Sequence, residues 1–186
     1  AYIPKKIEVR SGSLTSDEAA FWTQVYENGL GEFFFRNKID YRGVVKFPIG
    51  TEERAKGQGP NPNPLGEIIL VPFGGGKDSI VTAELLKAAG HDVTLLRIGH
   101  HPLIPAFAKK AGFPLLTIER RLDPILFSLN AEGALNGHVP ITAYLSILSV
   151  IIADLYGYSA AIWSNERSAS EGNTKLLDLE VNHQWS

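Results

Sequence analysis

Near the start of the chain, apolar positions recur once at helical spacing. Phe21, Trp22 and Val25 follow "TSDEAA", where a Thr or Ser cap precedes acids in a first turn, and the pattern predicts a helix. The next stretch, "GEFFFRNKIDYRGVVKFPI", places aromatic and β-branched residues on both sides of Asn37-Lys38. It predicts a β-hairpin. "GTEERAKGQGPNPNPLG" is polar and rich in Gly and Pro, the composition of a linker or flexible loop. The expected organisation is an α+β appendage over 1–50, a linker over 51–66 and one larger domain over 67–186.

From Glu67 the pattern changes. "EIILVPF" is a short continuous apolar run, as in a strand buried on both faces. A helix is expected from Asp78 or Ser79 to about Ala89, closed by Gly90. "HDVTLLRI" predicts a second strand, "PLIPAFAKKAG" a second helix with Pro near its start and Gly at its end, and "FPLLTIER" a third strand. "ITAYLSILSVIIADLYGY" approaches the length of a membrane span, but Ser146, Ser149 and Asp154 interrupt it. It predicts a buried helix from Ile141 to Tyr156, followed by "SAAIWS" as a fourth strand. Strands alternating with helices give an α/β fold, a doubly wound parallel sheet with right-handed crossovers.

Composition narrows the function classes. The 186 residues are 44% hydrophobic and 20% charged, as in a soluble globular protein. A formal net charge of -2 supplies no global basic field, so neither nucleic acid nor a membrane is an expected partner. With no cysteine, disulfides, thiolate zinc sites and a cysteine nucleophile are excluded; the absence suits a cytoplasmic protein. "AYIPKKIEVR" lacks the apolar core of a signal peptide. The lack of methionine and the bare ending "VNHQWS" predict a piece of a longer polypeptide.

The chemistry concentrates first in "FGGGKDS". A glycine loop between a strand and a helix binds phosphate, because the unpaired N–H groups of the helix N-terminus carry partial positive charge and glycine lets an anion approach them. The bland alternative is a glycine turn with Asp78 as a helix cap. The loop fails the Walker pattern, since Asp follows the Lys, and it fails G-x-G-x-x-G. "GGGKDS" instead resembles the S-G-G-x-D-S loop of the PP-loop ATP pyrophosphatases, with Gly74 where that family usually has Ser, and with Gly75, Gly76, Asp78 and Ser79 matching. The resemblance implies cleavage of ATP to AMP and pyrophosphate. Lys77 and Ser79 would contact phosphate, and Asp78 would help hold Mg²⁺, a hard cation. Arg97 and His100 follow the second strand, where the family meets adenine and ribose; either is equally readable as a plain loop residue. "GHHP" looks like a metal pair, but adjacent histidines in a strand point to opposite faces, so joint zinc binding is not expected.

A second cluster lies later in the chain. "NGHVPITAYLS" sets Asn136 and His138 before a helix, as caps or ligand contacts. "WSNERSASEGN" follows the fourth strand. The ends of strands one and four of a parallel sheet open onto one crevice, so Ser164, Asn165, Glu166, Arg167 and Ser168 are expected to face the ligand of the glycine loop. The alternative for Glu166 and Arg167 is a surface ion pair of little worth. Trp163 and Trp185 read as packing residues.

"NGHVPITA", "SNERSASEGN", "VNHQWS" and "FFFRNKIDYRG" resemble the matching stretches of the UDP-N-acetylmuramoyl-L-alanyl-L-glutamate epimerase family, over about residues 30–186. Arg167 departs from a more usual Trp. Members are longer, which implies a further C-terminal portion. The resemblance implies that ATP adenylates the α-carboxylate of the terminal L-glutamyl residue of a UDP-linked muramoyl dipeptide in peptidoglycan precursor synthesis. The acyl-adenylate makes its Cα–H acidic, and reprotonation from the other face followed by hydrolysis frees the D-glutamyl product. His138, Glu166 and His183 are the candidate bases; Glu166 is alternatively a second Mg²⁺ ligand. Other readings are another PP-loop adenylating enzyme, amidating or tRNA-modifying, or an ATP-binding module without turnover. Thiolation ordinarily uses cysteines, and amidation needs an ammonia source.

Overall fold

The structure, a computed structural model, describes residues 3, 6–50, 68–165, 171–172 and 174–181. The linker expected over 51–66 lies outside the described residues, as do Glu166, Arg167, Ser168, His183 and Trp185. The chain divides into two compact units. Residues 1–59, 124–143 and 167–186 form the first; 60–123 and 144–166 form the second.

The first unit opens with α1 (Ser16–Gly29). Thr15 caps it in a reciprocal capping box: the Thr15 hydroxyl accepts from the Glu18 N–H, and the Glu18 side chain accepts from the Thr15 N–H. The expected β-hairpin is absent. "GEFFFR" is instead α2 (Gly31–Arg36). Phe33 and Phe34 are adjacent and both buried, whereas Phe35 is exposed, a pattern that strand alternation does not produce. Asn37–Lys38 does reverse the chain, but as the exit of a helix. The Asn37 amide donates to the Phe33 carbonyl at 2.7 Å, and Lys38 is left-handed with φ 55°.

The antiparallel pair of this unit lies far along the chain. Strands β5 (Thr174–Leu176) and β6 (Leu179–Val181) pair Thr174 with Val181 and Leu176 with Leu179. Leu179 and Val181 join Phe33, Phe34, Tyr41 and Val45 in one apolar core. Tyr41 donates its hydroxyl to Asp178 at 2.7 Å, which raises the phenol pKa and lowers that of the carboxyl. Nearby, Arg42 hydrogen-bonds the Asp40 carboxyl and holds it at a pKa of about 2, in an exposed pair of small energetic worth. This unit also contains α5 (Ile125–Ala131), an element the apolar pattern does not announce.

The second unit is α/β. Strands β1 (Ile68–Pro72), β2 (Asp92–Ile98), β3 (Leu115–Ile118) and β4 (Ala160–Ala161) form a parallel sheet in the order β3-β2-β1-β4. The chain starts at the inner strand β1, moves outward to β3, then returns to β1's other side, which is double winding. Helices α3 (Lys77–Ala88) and α4 (Leu103–Ala111) cover one face. Ile69, Val71 and Phe73 point there, against Ala83, Ile104 and Ala108. Leu70 and Leu96 point the other way, against Ile152 and Ala153 of α6 (Ile141–Tyr156). Both faces of β1 are thus apolar, which accounts for its uninterrupted run "IILVP".

The α6 helix is not wholly buried as its sequence predicts. Ser149, Ile152 and Ala153 are covered, while Val150 and Leu155 face outward. Among the described residues no helix is long and apolar enough to cross a membrane.

Candidate functional site

The central strand ends at Phe73, whose N–H still donates to the Leu96 carbonyl at 2.8 Å. Gly74, Gly75 and Gly76 then leave the sheet, and α3 starts at Lys77. Gly75 has φ +82°, a conformation that favours glycine. Gly76 is the N-cap, with φ -79° and ψ 164°, and offers no side chain to the first-turn N–H groups. A Cβ on Gly76 would meet no heavy atom within 4 Å among the described residues. Neither backbone angle nor packing therefore requires glycine at 76. An anion laid against the uncapped N-terminus of α3 would, because a bare backbone would let it reach the N–H groups. Gly74 is equally open, with room for the hydroxyl that the PP-loop pattern carries there.

Ser79 is buried and donates its hydroxyl proton to the Gly76 carbonyl at 2.9 Å. Its first task is to close the loop onto the helix. Lys77 is exposed, and Asp78 is half-exposed in the first turn of α3. Such a carboxylate suits Mg²⁺, which is held by one or two carboxylates together with phosphate oxygens and water. No group of three or more His, Asp or Glu arranged to hold a metal occurs among the described residues.

The β2–α4 turn supports the loop from beneath. His101 Cε1 and Ile104 Cγ1 each lie 3.7 Å from where a Gly75 Cβ would stand. Arg97, on β2, donates to the His101 carbonyl across a long 3.4 Å. Three buried nitrogens among the described residues have no hydrogen-bond partner: Arg97 Nε, His101 Nδ1 and Trp163 Nε1. They belong to residues at the carboxyl ends of β2 and β4, the two strands flanking β1. Burial without a partner is costly, so donors at this end of the sheet suit a polar ligand. His100 is exposed, and the supporting histidine is its neighbour His101, to which sequence reasoning gives no role.

The expected ligand contacts after β4 are described in part. Ser164 donates its hydroxyl to Thr82 Oγ1 at 2.8 Å, tying the end of β4 to α3, and Asn165 is exposed. A shallow depression at the opposite, amino-terminal end of the strands, lined by His91 and Asp92, carries none of these residues.

In the first unit, the segment holding His138 is clamped onto α1 and α2. Glu32, a buried carboxylate that sequence reasoning passes over, accepts the His138 N–H at 2.6 Å. The Asn37 amide donates to the Asn136 carbonyl at 3.0 Å. A Cβ on Gly137 would come within 2.6 Å of Phe33 Cα, and one on Gly29 within 2.3 Å of Pro140 Cβ. The two glycines and Glu32 fix the backbone from Asn136 to Pro140, while His138 itself is exposed.

Comparison with known proteins joins these features to a family. The model of the MurL N-terminal domain matches residues 1–186. A UDP-N-acetyl-alpha-D-muramoyl-L-alanyl-L-glutamate epimerase of Xanthomonas oryzae pv. oryzae is 44% identical over 188 residues, covering 100% of this chain and 41% of the relative. Those of Salinispora tropica and Micromonospora sp. are 38% and 39% identical, covering 90% and 100% of this chain and 36% and 41% of the relatives. The chain thus spans about two fifths of the length of these relatives. Among solved structures, a predicted subunit of a tRNA methyltransferase from Methanocaldococcus jannaschii is 23% identical, with a TM-score of 0.39 over 60% of this chain and 59% of that one. With its full length matched by the family model, the chain belongs to the MurL N-terminal domain family.

Proposed function

We propose that this chain is the ATP-binding part of an epimerase that converts the terminal L-glutamyl residue of UDP-MurNAc-L-Ala-L-Glu to its D form. One observation carries the reading: an uncapped helix N-terminus at the end of the central strand, with a Gly76 that the fold itself does not require. The names of the relatives supply the substrate class.

The N–H groups from Gly75 to Ser79 bind the ATP phosphates, Lys77 adds positive charge, and Gly74 contributes its backbone N–H. Arg97, Ser164 and Asn165 line the nucleotide. Asp78, with Glu166, would hold Mg²⁺, which when bound neutralises phosphate charge. The substrate carboxylate attacks the α-phosphorus of ATP; its P–O bond to pyrophosphate breaks, leaving an acyl-adenylate. Removing a Cα proton beside a carboxylate would gather two negative charges, a penalty that adenylation removes. One of His138, Glu166 and His183 takes the proton, and return from the opposite face inverts the centre. Water then releases the D-glutamyl product and AMP.

The products test this reading. Full-length protein given Mg-ATP and the dipeptide substrate in deuterium oxide should yield AMP, pyrophosphate and a Cα–deuterated D-glutamyl product. ADP and phosphate, or inversion without nucleotide, would refute it.

A further inference from the structure

The outer side of α6 does not suit water. Asp154 is the only charged residue among its sixteen, from Ile141 to Tyr156. A helix apolar all round belongs in an interior, and a surface helix turns charged residues outward. Yet Tyr144, Ile147, Val150, Ile151, Leu155 and Tyr156 are exposed, Val150 at 63% and Leu155 at 74%. The first five lie on the side away from Ser149, Ile152 and Ala153, so they form one face, with the exposed Asp154 as the single charge within it, and not scattered single residues.

The sheet beneath repeats the deficit. Two helices cover one face, whereas among the described residues α6 is the one helix packed against the other. Leu96 of β2 is sealed on that face, but Leu116 and Ile118 of β3 are only partly buried there. A parallel sheet ordinarily has both faces covered. A further fact names an occupant. The relatives carry more than half of their length outside the part this chain matches.

We propose that the outer face of α6, with the partly covered face of β3, is an intramolecular docking surface for the polypeptide that the longer family members carry beyond this domain. That polypeptide presents an apolar face of its own to Val150, Ile151 and Leu155 and a hydrogen-bond donor or cation to Asp154, which stands among them. The proposal stands apart from the nucleotide chemistry.

The cysteine-free chain makes a direct test available. Val150→Cys, Leu155→Cys and, as an exposed control on α4, Lys109→Cys are placed singly in two contexts. One is the 186-residue chain; the other is this chain grafted in place of the matching segment of the Xanthomonas oryzae relative. Thiol-modification rates are read by peptide mass spectrometry. In the graft, positions 150 and 155 should react about tenfold or more slower than 109, while in the shorter chain all three should react alike. Equal rates in the graft would overturn the proposal. So would protection already complete in the shorter chain, or protection that appears only as its concentration rises, which marks a second copy as the occupant. Should the graft fail to fold, carbene footprinting of the unaltered relative decides the matter: heavy labelling of the segment aligned with α6 would overturn the proposal, and sparse labelling would support it.

Discussion

Gly76 separates the needs of the fold from the needs of a ligand. Its backbone angles are open to any residue, and a methyl group there would touch nothing described. Gly76→Ala should therefore leave the melting temperature nearly unchanged while weakening Mg-ATP binding, measured by calorimetry on the full-length protein. Gly75→Ala should be destabilising as well, by about 1–2 kcal/mol, because its φ of +82° is left-handed. Strong binding by Gly76→Ala would remove the reason given for that glycine. Glu32 makes a different prediction. Glu32→Ala should cost about 1–3 kcal/mol in denaturant unfolding by leaving the His138 N–H without its acceptor, and Glu32→Gln should recover most of it. At this scale the glycine loop is legible in the sequence, because three glycines, a Lys, an Asp and a Ser between strand and helix are more than a plain turn needs. Glu32 and His101 are not. A lone Glu in a first turn and one histidine of a pair reveal their roles only through partners distant in sequence or on a neighbouring turn.

The elements divide along the same line. Continuous apolar runs bounded by glycines make the parallel strands and their helices readable, since the crossovers from β1 to β2 and from β2 to β3 are local in the chain. The hairpin expected over 31–49 fails because aromatic richness imitates strand character, although "GEFFFR" holds no β-branched residue. The real pair, β5 and β6, has strands of three residues and a turn at Leu177-Asp178 without glycine, so no strong turn signal marks it. Its attachment to α2 is a long-range event, and the Tyr41–Asp178 hydrogen bond is one of its ties. That bond lowers the Asp178 pKa, so its stabilisation is present above the ordinary carboxylate range and is lost as pH falls through the lowered folded value. Tyr41→Phe should accordingly melt below the parent at pH 7, and the gap should narrow as pH falls below the ordinary carboxylate range. A gap independent of pH would mean that the hydroxyl acts other than through the Asp178 charge.

At the scale of the whole molecule, the N-terminal residues, the segment with His138 and the closing β5–β6 pair belong to one unit, and the parallel sheet to another. Sequence order alone suggests a simple appendage followed by a domain, because packing between distant segments leaves no local trace. The candidate bases sort themselves by mutation in the full-length protein. His138→Ala, Glu166→Gln or His183→Ala should slow exchange of the glutamyl Cα–H with deuterium by about 10²–10⁴ if that residue takes the proton, while pyrophosphate release persists. Loss of both would mark a nucleotide or Mg²⁺ contact, and normal exchange in all three would place the base elsewhere.

Adenylation before proton removal is the central claim, and isotope exchange between pyrophosphate and ATP reads it without waiting for the later steps. Full-length protein with Mg²⁺ and labelled pyrophosphate should return label to ATP only when UDP-MurNAc-L-Ala-L-Glu is present, and Asp78→Asn should abolish that exchange with the fold intact. Epimerisation of the dipeptide with no exchange of label, or exchange undiminished in Asp78→Asn, would contradict the account.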